Sequence, residues 1–532
     1  MRFDTVNYRK TLSIFIGVFS LLMVFGFGLV ASQHEEKAGG TLNVALASEP
    51  GTLDMALSTG VAASIPARHV FEGLFAFDKD YNPEPMLLES WELSDDGTVA
   101  TFVLRKGVNF HNGDEVMAED VVASLERWGN YGLTKSALWT RVEDVSAEGD
   151  YTVEMTLSEP FAPLTTYLAN IYGGPRIVPA EIAEAAGKEP INPDDYIGTG
   201  PYEFVEWKSG DYILLKRFED YSNPDREESG FVGKKEAYFD EIKFSMVSEA
   251  GARVSGVEAG TYDYAANVPT DMIANIERSD TAEPVIMDHP PIYPIMLINT
   301  QTGVLADAEM RRAVQAALDM DSIMAAGYGN PRFWALDGAY FAEGIRWRSL
   351  AGAEAYDQAD SEKAMEIAEE AGYDGEPIDL IVAIDMTAQY NQSLVVRNQL
   401  RNAGFNARLE TFDKSTFFQR RNDRENAQWE LAFSFYSTTP DPSLVLMLNE
   451  DYPGWWDTPE IENLKATLNT TTDFEERYGI WEQIRELWYE QVPAIKFGNA
   501  FQLHVRSSKL MGVGTENQPV MVSPYFWNTW EG

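Results

Sequence analysis

A chain of 532 residues exceeds what one hydrophobic core serves, and with 45% hydrophobic and 12% aromatic residues it has ample material for several packed units; intrinsic disorder is excluded. The formal net charge of −43, from 84 acidic against 41 basic residues, repels phosphate backbones and anionic lipid heads, so nucleic-acid and membrane-surface roles are disfavoured. Such self-repulsion fits a salt-loving source, where screening is strong, or simply an acidic exported protein.

The first segment reads as an export signal. Arg2, Arg9 and Lys10 precede an apolar run from Leu12 to Val30, and the small residues Ala31 and Ser32 follow. Residues 1–32 are therefore expected to be a cleaved signal peptide, with an uncleaved anchor as the rival because the run approaches the length of a membrane span. With no cysteine, the chain has neither disulfides nor a site for lipid attachment, and a periplasmic protein is expected.

Thr41 to Ala47 alternates as a strand does, and the Pro-Gly of SEPGTLD turns the chain after it. Val99 to Leu104 (VATFVL) has strand composition, Lys106-Gly107 and Asn112-Gly113 mark turns, and Val108 and Phe110 alternate between them. From Ala118 the period lengthens: Val121, Leu125 and Trp128 predict one face of an amphipathic helix.

His111, beside the second turn, has no histidine at helical spacing, and His34, His69, His289 and His504 are equally isolated. Imidazole metal sites need convergent ligands, so His111 reads as scaffold and no metal is expected. No Walker loop, GxSxG, HExxH or GxGxxG occurs, and pairs such as Asp95-Asp96 and Asp194-Asp195 read as solvated turns. Neither catalytic residues nor a cofactor are expected, and the balance moves toward binding.

The segment LLESWELSDDGTVATFVLRKGVNFHNGDEVMAEDVVASLERW, Leu87 to Trp128, resembles the signature of family 5 extracellular solute-binding proteins, the peptide- and nickel-type class that serves ABC importers. FEGL (Phe71 to Leu74), GTGPYEFVEW (Gly198 to Trp207), LINTQTGVLADAEMRRAVQAALD (Leu297 to Asp319), YDQADSEKAMEIAEEAGY (Tyr356 to Tyr373) and PDPSL (Pro440 to Leu444) follow in the family's order. The resemblance implies an α/β, two-lobed periplasmic-binding-protein clamshell (type II-like) with an extra inserted subdomain. Lobe I would comprise residues 40–80, 198–290 and 494–532, the inserted subdomain 81–197, and lobe II 291–493.

It further implies a monomer that closes on a small-molecule or oligopeptide ligand and hands it to ABC transporter permease subunits. Carried over position by position, the cleft-lining residues are Thr59, Gly60 and Val61 from the loop before FEGL, and Ser434, Phe435, Tyr436 and Thr438 from the strand before PDPSL. Peptide binders of the family carry an aspartate four residues before the last proline of that motif, to meet the ligand's amino terminus, whereas this chain has Thr438, with Asp441 as the nearest acid. The expected ligand is a peptide or another small polar organic, with oligosaccharides or opine-like conjugates as alternatives; nickel fits poorly with scattered histidines and no cysteine, and an exported hydrolase is the remaining rival.

Overall fold

The computed structural model describes residues 38–514 and 524–532, and the expected signal segment lies outside them. Among the described residues, twelve strands form one mixed sheet. Its central member is Ala282–Ile298, 17 residues long. The first part of this strand pairs antiparallel with Asn499–Ser507, from Ala282 opposite Ser507 to Met287 opposite Gln502. The last part pairs with Leu431–Ser437, Ile292 opposite Ser437 through Ile298 opposite Leu431. One side of the sheet adds Thr41–Leu46, Tyr264–Val268, Glu241–Met246, Tyr212–Arg217 and Tyr202–Lys208; the other adds Pro377–Ala383 and Asn406–Phe412. The fold is therefore α/β and two-lobed, its lobes joined through one shared strand whose two parts pair with different partners.

Between the two parts the ladder is interrupted. Asp288 to Pro291 stand opposite Phe501 alone, since pairing resumes at Ile292 and Ala500. Prolines there cannot donate ladder hydrogen bonds, so this is where the long strand is free to bend. The His289 ring meets the Tyr81 ring edge-on at 6.2 Å beside this bulge.

A separate four-stranded antiparallel sheet, ordered Leu88–Leu93, Val99–Leu104, Thr152–Leu157 and Val142–Ala147, forms the subdomain. Period-2 alternation puts Ala100, Phe102 and Leu104 into its core, under the helix Ala118–Tyr131, which buries Val121, Leu125 and Trp128. The same core takes in Leu74, Phe75 and Phe77 and, from far along the chain, Phe231, Tyr525 and Trp527.

Both ring nitrogens of His111 are spent on backbone: Nδ1 accepts from Gly198 N–H at 3.2 Å, and Nε2 lies 3.0 Å from the Gly200 carbonyl, to which it donates in the matching tautomer. The histidine thus clasps the subdomain hairpin to the returning GTGP segment. That segment crosses the end of helix Val61–Val70 so closely that a Cβ at Gly198 would lie 2.1 Å from the Val70 carbonyl oxygen, and one at Gly200 2.2 Å from that of His69. His69 itself is buried; its Nδ1 lies 2.8 Å from Ile65 O and its Nε2 accepts from Phe526 N–H at 3.0 Å, which ties the C-terminal segment to the same helix.

Gly198→Ala should destabilise by about 3 kcal/mol or more, because backbone must move, whereas Gly107→Ala, at a turn with φ of +72° and nothing within 4 Å, should cost about 1 kcal/mol; denaturant unfolding compares them. Burial first, and then the neighbouring charge of Asp379, raises the Glu430 carboxyl from 4.5 to about 7, even though it accepts a hydrogen bond from Asp379 N–H at 2.8 Å. The folded state thus retains a proton that the unfolded chain has released, so this group's stabilisation is complete below about pH 4.5 and lost as the pH rises through about 7. In Glu430→Gln the stability-against-pH curve should be flatter across that window than in wild type.

Candidate functional site

Between the subdomain and the lobe built around Leu431–Ser437 lies a cavity of about 860 Å³. Its subdomain wall is Thr134, Arg141, Tyr167, Asn170 and Tyr172, with Thr59 beside them. The opposite wall begins at the carboxyl end of strand Leu431–Ser437 with Tyr436, Ser437, Thr438 and Thr439, the position where open α/β sheets bind ligands. Helix Pro459–Thr470 closes this side with Glu462, Lys465, Leu468 and Asn469, and Tyr340, Glu450 and the aliphatic Leu444, Val445, Leu446 and Leu448 also line it. Aromatic faces, hydroxyls and amides predominate, a surface suited to an organic solute.

Of the residues singled out from sequence, the structure brings Thr59, Tyr436 and Thr438 to this cavity. Gly60 and Val61 begin the neighbouring helix, with the Gly60 carbonyl accepting from Ala63 and Ser64 N–H, and they do not line it. Ser434 is buried beneath the strand, its hydroxyl 3.5 Å from Arg421 Nη1, and Phe435 points to the other face, where it is 44% exposed. The pleat explains the division: Ser434 and Tyr436 share one face and Phe435 the other. Sequence reasoning named no residue from the subdomain wall. Those side chains come from loops and short helices that carry no motif, and only the fold collects them.

Tyr436 is held by its hydroxyl, 2.7 Å from that of Tyr452, and burial keeps its phenol pKa well above the ordinary value. Thr438 is buried and donates to the Pro291 carbonyl at 2.8 Å, so the cavity wall is fastened to the bulge between the lobes.

Asp441 cannot serve a ligand ammonium. Its carboxylate takes both guanidinium amines of Arg477, at 2.6 and 2.7 Å, and also the N–H and hydroxyl of Ser443. Both partners of the ion pair are buried, Asp441 at 2% and Arg477 at 5% exposure. The bidentate pair fixes the loop that presents Thr438, Pro440 and Ser443 to the cavity. Just beyond it, Leu444 packs against the subdomain core, and Ala162 N–H donates across the cleft to Asn469 O at 2.8 Å. The two walls are therefore in contact.

Among the charged lining residues, Arg141 is matched by Glu159 at 2.8 Å and Lys465 by Glu462 at 2.5 Å. For Glu450 no ion pair occurs among the described residues, only a hydrogen bond from Arg424 to its backbone carbonyl. Among those residues too, no cluster of three histidine or carboxylate groups could hold a metal ion, and no helix is long and apolar enough to cross a membrane.

The family model of bacterial extracellular solute-binding proteins, family 5 Middle, matches residues 82–457. The chain belongs to this family. It is 27% identical over 521 residues to the probable peptide ABC transporter periplasmic-binding protein y4tO of Sinorhizobium fredii, covering 94% of this chain and 95% of that protein. The substrate-binding protein CtaP of Listeria monocytogenes superposes with a TM-score of 0.77 at 22% identity, covering 90% of this chain and 96% of that one. AgaA of A. tumefacien R10, in complex with agropinic acid, gives 0.71 at 22% identity over 93% and 99% of the two chains. These structural likenesses establish the shared fold.

The ion pair beneath the site supports a prediction. Arg477→Met should lower unfolding stability by about 3–5 kcal/mol, because it strands a buried carboxylate, and adding Asp441→Asn should recover a large part of that loss in a double-mutant cycle.

Proposed function

We propose that this protein captures a peptide or another small polar organic solute in the cavity between its lobes and delivers it to the permease subunits of an ABC importer. The observation that carries this reading is the cavity itself: about 860 Å³, with walls on both sides of a cleft. A solute touching both walls binds the closed form better than the open one, and that difference in affinity is what drives closure. The protein then acts as an exported, periplasmic monomer without catalytic activity, and residues 1–32 act as its signal peptide.

The moving units on this reading are lobe I (40–80, 198–290 and 494–532), the inserted subdomain (81–197) and lobe II (291–493). The interrupted ladder at Asp288 to Pro291 and the separate cores of the sheet's two sides support that division. Thr59, Tyr436 and Thr438 contact the ligand; Gly60, Val61, Ser434 and Phe435 shape the wall from behind or beside it.

Two observations favour a second reading, an opine-like conjugate or oligosaccharide: Thr438 stands where a carboxylate would meet an ammonium, and Asp441 is consumed by Arg477. For a peptide, Glu450 is the acid left to receive the amino terminus. Calorimetry with a free tripeptide, its N-acetyl form, an opine-like conjugate and an oligosaccharide distinguishes the two. On the peptide reading the free tripeptide binds, and both N-acetylation and Glu450→Gln weaken it about tenfold, or roughly 1.4 kcal/mol. Binding of only the conjugate or the sugar assigns the second class, and turnover of any of them overturns the transport reading.

A further inference from the structure

Behind the subdomain wall of the cavity is a second, far smaller space. The segment from Ala169 to Tyr172 separates the two: Asn170 and Tyr172 face the ligand cavity, while Ala169 and Ile171 line an inner space of about 40 Å³. Glu72, Met86, Arg176 and Lys235 stand around it, with Phe231 and Trp527 closing it.

The charges there do not balance. Glu72 is fully used: Oε1 takes Lys235 Nζ at 2.6 Å and the Tyr221 hydroxyl at 2.9 Å, and Oε2 takes the Thr199 hydroxyl at 3.0 Å. Glu72 therefore offsets Lys235 and nothing more. Arg176 donates to the carbonyls of Pro175 and Asn170, at 2.8 and 3.0 Å. Arg105 donates to the carbonyls of Met86 and Ser222, at 2.9 and 3.2 Å, and its Nη2 is buried. Carbonyl oxygens satisfy the hydrogen-bonding needs of a guanidinium but leave its charge uncompensated. Arg68, Arg176 and Lys235 thus line the space against a single lining carboxylate, with Arg105 nearby, inside a protein whose overall charge is −43. The strain is visible in proton affinities: burial and then the neighbouring Arg68 hold Arg176 down to about 10, and burial lowers Lys235 despite its bond to Glu72, with Arg105 and Arg176 adding to the depression.

We propose that this inner space is an anion site, which takes a chloride-sized monovalent ion beside Arg176 and the Lys235–Glu72 pair. Its volume accepts a dehydrated monatomic anion and is too small for an organic acid. The ion would compensate the positive charge lining the space, from buried Lys235 and part-buried Arg176, and because Asn170 O is itself bound by Arg176, it would also steady the wall that Asn170 and Tyr172 present to the ligand. This inference is independent of which solute the large cavity takes.

The test is thermal unfolding of the purified protein at fixed pH, sodium and ionic strength, with chloride exchanged stepwise for gluconate. Gluconate is the more strongly excluded anion, so general salt effects run against chloride, and a saturable rise of about 2 °C or more in chloride reports site binding. Arg176→Met should lose that increment. Crystals grown in bromide should show an anomalous peak in the inner space of the wild-type protein, a readout that does not depend on the variant folding. Coincident chloride and gluconate curves, an increment retained in Arg176→Met, or bromide found only at the surface would each overturn the proposal.

Discussion

Everything in this molecule hangs on the ladder that runs unbroken in sequence, though not in pairing, along Ala282–Ile298. A lobe sheet that ended at its own edge would leave unpaired backbone groups there, and a rigid continuous sheet would hold the lobes at one angle. The strand resolves the conflict by sharing its partners, Asn499–Ser507 on one part and Leu431–Ser437 on the other, with four unpaired residues facing Phe501 between them. The Thr438 hydroxyl binds the carbonyl of Pro291, one of those four, so the ligand wall and the bend are mechanically one unit.

Charge is distributed in a way the composition hides. The excess of acid lies outside, where water and salt screen it, while the interior holds several buried cations whose partners are carbonyls, aromatic rings or a few committed carboxylates. Asp441, Glu72 and Asp54 each accept a buried cation at 2.6 Å. Two of these sit in segments that the family resemblance marks, FEGL and PDPSL. Such motifs therefore record where buried charge had to be matched, as much as where solute is bound.

Much of the fold was legible because its signals are local. The change from period 2 in Val99–Leu104 to period 3.6 in Ala118–Tyr131 announces the strand and helix of the subdomain, and Gly107 and Gly113 mark turns that both adopt positive φ. The crowding at Gly198 and Gly200 was not legible as physics, since the carbonyls that forbid a side chain belong to residues 69 and 70. The candidate cavity was legible in part: Thr59, Tyr436 and Thr438 were named through resemblance and line it, yet Arg141, Tyr167 and Asn170 come from loops and a short helix without a motif. Nor could the sequence show that Asp441 was already engaged, because Arg477 lies 36 residues away on another helix.

The contact of Leu444 with the subdomain core, together with the Ala162–Asn469 hydrogen bond, joins the cleft walls through protein alone. Contacts of this kind stabilise the shut form whether or not cargo is inside. Their strength sets how often an empty carrier presents itself as a loaded one. A stronger grip would shorten the search for scarce solutes by lowering the work each must do, but it would also let vacant copies occupy the importer and waste its cycles. If the lobes close on solute as proposed, the Leu444 contact and the Ala162 amide are among the contacts that place this protein between sensitivity and idling.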